Sequence, residues 1–120
     1  MTGIEEALVA AGFAGVEREG DTVFARDGAE APEFTVTATA AGLRLALRFP
    51  VRATEAERTA WMRAHPAGRL EIAAGETELS LALPAGTDLL GALEQWRELT
   101  RAAAVAAVGW RRRQKPLHGM

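Results

Sequence analysis

The spacing of apolar positions along the chain switches repeatedly between a helical and an alternating period, and each switch predicts an element. Ile4, Ala7, Leu8 and Ala11 recur at steps of three and four, the stripe of a first helix. Thr2-x-x-Glu5 precedes that stripe with the pattern of a capping box, in which hydroxyl and carboxylate each satisfy a free backbone N–H. Gly12 ends it. Val16 to Arg26 then reads as one strand region broken near Glu19-Gly20-Asp21, with Val23, Phe24 and Ala25 as its apolar part. Alternation becomes regular from Phe34 through Val36, Ala38 and Ala40, and again over Leu43, Leu45, Leu47 and Phe49. An Ala41-Gly42 loop would set Phe34 opposite Phe49, Val36 opposite Leu47 and Ala38 opposite Leu45, with both apolar sets on one side. Thr35, Thr37, Thr39, Arg44 and Arg48 would line the other.

Pro50 closes this hairpin, and Thr54-x-x-Glu57 repeats the capping-box signal before a second helix that contains Trp61, Met62 and Ala64 and stops at His65-Pro66. Two further strands follow, Leu70 and Ile72 in one and Leu79, Leu81 and Leu83 in the next, joined around Gly75-Glu76. A II′ turn with Gly75 first would place Ile72 opposite Leu79 and Leu70 opposite Leu81, leaving Arg69, Glu71, Glu78 and Ser80 outside. Pro84-Ala85-Gly86 turns the chain, and Thr87-Asp88 offers caps for a long last helix to about Arg113. Its stripe is Leu89, Leu93, Trp96, Thr100, Ala103, Ala107 and Trp110. The predicted order is α-β-β-β-α-β-β-α, an α+β fold with an antiparallel sheet of about five strands, apolar on the face its helices cover. With 120 residues, no internal repeat and no linker, residues 1–120 read as a single domain.

Composition narrows the chemistry. The chain has no cysteine, which excludes thiol nucleophiles, disulfides and thiolate metal sites and suits a reducing compartment, so the cytoplasm is the expected location. No export signal is read at the start, because Glu5 and Glu6 stand where a basic region would, and the longest apolar run, Ala102 to Val108, falls far short of the roughly 20 residues that cross a bilayer. No membrane association is expected.

The two histidines leave little material for acid/base or metal chemistry: His65 sits at a helix end, where an imidazole complements the dipole, and His118 lies near the terminus. Glu71 and Glu78 share a sheet face, but their neighbours suggest an arginine-paired surface and not a pocket that would part their pKa values. Ser80 has no evident His partner, and the glycines mark turns rather than a phosphate loop. No catalytic residue, metal ligand or cofactor site is expected, and the chain is not read as an enzyme.

Two surfaces remain. Trp96 fits the core stripe; Trp61 and Met62 lie on a short helix with few other large apolar groups, which makes one of them a candidate for exposure at a protein interface. Arg111, Arg112, Arg113 and Lys115 form a basic cluster after Trp110, a candidate for anions. Without those four charges the body carries 10 Lys+Arg against 16 Asp+Glu, a field that repels phosphate backbones, so nucleic acid is the less favoured partner. Position at a helix end, with Pro116 beyond, gives the cluster a simpler role: offsetting the dipole and stopping the helix.

The helix Thr2 to Ala11, the hairpin Phe34 to Phe49, the helix Thr54 to His65, the hairpin Arg69 to Leu83 and the helix from Asp88 follow one another in an order that resembles the type III secretion chaperone-like fold, in particular the YbjN-like family of small bacterial cytoplasmic proteins. The likeness covers nearly the whole chain and is topological, with no motif to quote. It implies a homodimer that binds another protein, often an extended segment, without chemistry. It also implies that the middle helix and the following strand build the dimer interface, here Trp61, Met62, Leu70 and Ile72. The Arg-rich end departs from that family and puts an export-chaperone role in doubt. The expected function is a non-enzymatic protein-binding domain, chaperone-like or regulatory, with binding of nucleic acid or an anionic surface through the basic cluster as the alternative.

Overall fold

A computed structural model describes residues 3–114. The elements are α1 (Ile4–Ala10), β1 (Ala14–Glu19), β2 (Thr22–Arg26), β3 (Glu33–Thr39), β4 (Gly42–Phe49), α2 (Glu55–Ala64), β5 (Arg69–Ala73), β6 (Glu76–Pro84) and α3 (Leu89–Gln114). They form an α+β fold with one open antiparallel sheet of six strands, ordered β1-β2-β3-β4-β6-β5. The expected five strands become six because the region from Val16 to Arg26 is a hairpin, turning at Gly20-Asp21 with Glu19 opposite Thr22. β1 is mostly exposed and ends in three charged residues, so it carries little of the alternation by which a strand is recognised. Among the described residues no helix is long and apolar enough to cross a membrane.

α1 begins at Ile4 with Gly3 as its N-cap and no side-chain cap, so the capping box expected from Thr2 and Glu5 is not the one used; Thr2 lies outside the described residues. With Gly3 at the cap, Glu5 falls one position short of where a box carboxylate must sit. It reaches Arg18 of β1 instead, at 2.7 and 3.0 Å, and that guanidinium holds its carboxyl down at about 2. The helix ends in a Schellman motif: the Phe13 N–H donates to the Leu8 carbonyl and the Gly12 N–H to that of Val9, with Gly12 at φ 89°. Thr54, by contrast, makes the full capping box of α2, accepting from the Glu57 N–H at 3.1 Å while its own N–H donates to Glu57 Oε1 at 2.8 Å.

Both expected hairpin registers are off by two residues, which keeps every side chain on its predicted face. Val36 lies opposite Leu45, not Leu47, because the loop is Ala40-Ala41 and Gly42 already belongs to β4, where it pairs with Pro84 of β6. Leu70 lies opposite Leu79 and Ile72 opposite Thr77 because the loop is Ala74-Gly75. Those two residues have φ 52° and 83°, the pair of positive values that defines a I′ turn and not the II′ turn expected.

α3 covers the apolar sheet face. Its predicted stripe is buried from Leu93 through Trp96, Thr100, Ala103 and Ala107 to Trp110, joined by Ala92 and Leu99, while Leu89 is half-buried. Beneath it lie Val23, Val36, Leu45, Leu47, Leu79 and Leu81, with Phe34 edge-on to both Phe13 and Trp96. Ala38 and Ala40, expected on this face, sit beyond its cover and are exposed.

An ionic latch ties α3 to the rest. Asp27, just after β2, accepts from Arg97 Nε at 3.2 Å and from Arg101 Nε at 2.8 Å. Arg97 also donates to the Ala11 carbonyl at 2.6 Å and lies over the Phe13 ring, 4.3 Å from its centroid. Burial pushes the Asp27 carboxyl up, but the hydrogen bonds from Arg101 and Arg97 outweigh it and hold the group below the ordinary carboxylate range. A carboxyl depressed in the folded chain contributes stability above its unfolded pKa and loses it as pH falls through the folded one. Asp27→Asn, which leaves two arginines without their counter-charge, should therefore cost about 2 kcal/mol at neutral pH. Because Asn cannot titrate, the variant should also lose less stability than the wild type on going below about pH 4. Urea midpoints across that range check both; parallel curves for the two proteins would show that the latch does not carry the difference.

Candidate functional site

A sheet edge exposes a row of backbone donors and acceptors, so the two edges are the first surfaces to compare. β1 is defended. Its register breaks between Ala14 and Glu17, with Gly15 at φ 61°, and Glu17, Arg18 and Glu19 line what remains. A bulge and a run of charge both discourage an added strand.

β5 is regular throughout its five residues. Its Leu70 N–H turns away from β6 and meets the Met62 sulfur of α2 at 3.3 Å. A thioether is a weak acceptor, so the outward donor of this edge is covered without being well satisfied. Met62 and Ile72 are half-buried and line an open cleft of about 670 Å³ between α2 and β5, together with Leu70 and Glu71 of the strand. Arg52, Glu55, Arg58 and Thr59 form its α2 side, giving a polar rim around a small apolar strip.

The structure brings three of the four expected interface residues, Met62, Leu70 and Ile72, to this cleft. It does not leave Trp61 there as an exposed anchor: Trp61 is 7% exposed and packs under α2 against the sheet. The position is open to so large a ring because residue 68 is glycine; a Cβ there would lie 3.0 Å from Trp61 Cζ3 and 3.1 Å from Leu79 Cδ1. His65, the C-cap of α2, stacks on the indole with ring centroids 4.5 Å apart. Leu70 is likewise buried by its side chain and offers the cleft its backbone.

Glu71 and Glu78 stand directly opposite each other across β5 and β6, a like-charge placement that is unfavourable alone. Each has its own arginine: Arg69 Nε reaches Glu71 at 2.6 Å, and Arg44 and Arg48 reach Glu78 at 2.7 and 3.4 Å. Burial pushes the Glu78 carboxyl up, and the two arginines overcome it, leaving the pKa lowered. A general acid needs its proton held at neutral pH, and Glu78 is tuned the other way.

The basic cluster is divided. Arg113 pairs with Glu57 of α2, and the neighbouring Gln114 Nε2 donates to the Arg52 carbonyl, so the end of α3 is fastened to α2. Arg111 is half-buried and Arg112 exposed; Lys115 lies outside the described residues. The Met62 contact with Leu70 and the Asp27 latch were not read from the sequence, since no local pattern joins residues that meet only once the sheet has formed. Comparison of the chain with protein-family models, with curated proteins and with solved structures gives no match.

Proposed function

We propose that this chain is a non-enzymatic protein-binding domain, chaperone-like or regulatory, that acts as a homodimer in the bacterial cytoplasm and accepts an extended segment of a protein molecule along β5. Its likeness to the YbjN-like family and the type III secretion chaperone-like fold belongs to the same proposal. The observation that carries it is the regular edge of β5, whose outward Leu70 N–H is covered by nothing stronger than the Met62 sulfur. Main-chain pairing along such an edge supplies affinity, and the strip formed by Met62 and Ile72 supplies side-chain contact. Fixing of Arg113 to Glu57 and the acidic body both count against phosphate binding at the end of α3.

Hydrogen exchange of the Leu70 and Ile72 amides against a panel of short extended peptides tests the reading. Some peptides should bind saturably and slow exchange at both amides. Failure of every peptide to protect them would sink it, and salt-sensitive binding of RNA or DNA that disappears in an Arg111→Ala, Arg112→Ala, Arg113→Ala variant would put the alternative in its place.

A further inference from the structure

We propose that the recess between α3 and the loop joining β2 to β3 is a binding site for a small monocarboxylate with an apolar body, of the size of a phenylalkanoate. The recess holds about 240 Å³, with Phe34, Leu47 and Ala104 as its apolar lining and Thr100, Asp27 and Arg101 as its polar groups. Protein interiors seldom leave so large a gap between packed elements. Here α3 presents Thr100 and Ala104, one helical turn apart, where larger side chains would fill it. Phe34 and Leu47 are 2% and 4% exposed, so core side chains hold the floor and its shape does not depend on surface rotamers. That floor suits water poorly. A buried water takes about two to four polar partners, and Thr100 has already given its hydroxyl proton to the Arg97 carbonyl at 3.0 Å. An apolar cavity of about 150 Å³ is enough to hold benzene, so the 240 Å³ here admit a phenyl ring with a short methylene tail.

Charge at the mouth selects the other end of the ligand. Asp27 engages one side of the Arg101 guanidinium, accepting from Nε at 2.8 Å and from Nη2 at 3.2 Å. The adjoining side, Nη1 with the second Nη2 hydrogen, has no partner among the described residues, and the side chain is 67% exposed. A guanidinium can hold two carboxylates in this way, because its five N–H groups form two forks in one plane. Asp27 itself is not open to a cation: its Oδ1 also accepts from Arg97 Nε at 3.2 Å, so two arginines share the one carboxylate. The same carboxylate limits how much negative charge the recess tolerates. A phosphate monoester brings close to two charges, whereas a carboxylate brings one, spread over a plane that matches the fork. A monocarboxylate therefore meets floor, mouth and charge together, with its oxygens on Arg101 Nη1 and Nη2 and its ring against Phe34 and Leu47. None of these residues lines the cleft between α2 and β5, so the site goes beyond strand binding and stands or falls separately from it.

Phenylacetate and phenylpropanoate are the probes, each compared with its neutral carboxamide by NMR titration of the backbone amides. At least one acid should bind saturably with a Kd below about 1 mM, shifting the amides of Phe34, Thr100 and Arg101. Its carboxamide should bind about tenfold more weakly, because it brings no charge to the guanidinium. Ala104→Leu fills the recess from an exposed helix position and should abolish binding with thermal unfolding unchanged. Arg101→Gln should bring acid and carboxamide to equal affinity, a change of ratio that a general loosening of the fold would not produce. Absence of shifts at these amides up to about 10 mM of either acid overturns the proposal. So does equal affinity of acid and carboxamide for the wild-type chain, or a preference for the acid that survives Arg101→Gln. Undiminished binding to Ala104→Leu would place the ligand outside the recess and overturn it as well.

Discussion

Gly42→Ala should remove a large part of the stability of the fold, with an expected loss of about 3–5 kcal/mol against a total of about 5–15. An added Cβ would lie 1.9 Å from the Leu83 carbonyl oxygen, 2.8 Å from the Ala85 nitrogen and 2.9 Å from the Pro84 carbonyl carbon. All three obstacles are backbone, so no side-chain rotation relieves them. The residue also sits at φ 151°, a conformation that L side chains rarely adopt. Relief requires β4 to part from β6 where Gly42 pairs with Pro84 and the Ala85 N–H donates to the Ala41 carbonyl at 3.0 Å. Gly75→Ala provides the comparison: φ is 83° there but nothing lies within 4 Å of the added carbon, so strain acts without collision and the expected loss is about 1 kcal/mol. Equal denaturation midpoints for the two variants would show that the close approach at Gly42 is not the dominant effect.

The same glycine shows where sequence reasoning reaches its limit. Ala41-Gly42 looks like a hairpin loop because glycine commonly marks turns, and the information that corrects this lies on β6, about forty residues later in the chain. Periodicity is a local property and was legible wherever burial is regular. The stripe of α3 from Leu93 to Trp110 is buried as predicted, and the faces of β3, β4, β5 and β6 are assigned correctly although both registers slip by two. Faces survive because side chains alternate with a period of two, whereas register depends on which residues the loop absorbs. β1 fails the same test from the other side: an edge strand that buries little has no alternation to read.

The candidate site was legible as a neighbourhood and not as a mechanism. Met62, Leu70 and Ile72 line one cleft, whereas Trp61, the largest of the group, is committed to the core by the space that Gly68 leaves for it. Sequence places a tryptophan on a short helix and says nothing about a void beneath it. What distinguishes β5 from β1 is also invisible in composition: both are short and charged, but a bulge closes one edge and a sulfur covers the other.

Trp96→Ala should produce a loss comparable to that at Gly42, about 3–5 kcal/mol, by the opposite route of leaving space. Trp96 is fully buried, stands midway along the α3 stripe and packs edge-on against Phe34 of β3 with ring centroids 5.6 Å apart. It thus joins the helix to the sheet at the centre of the core, where neither can collapse into the vacancy without giving up contacts elsewhere. Trp96→Phe separates volume from polarity. The indole Nε1 is buried and finds no hydrogen-bond partner among the described residues, so phenylalanine removes an unsatisfied donor while keeping an aromatic face for Phe34. The two effects oppose, and the expected loss falls to about 1–2 kcal/mol. Urea unfolding of both variants should rank alanine well below phenylalanine. Equal losses would show that the aromatic ring kept by phenylalanine contributes nothing, so that neither ring volume nor the contact with Phe34 carries the effect.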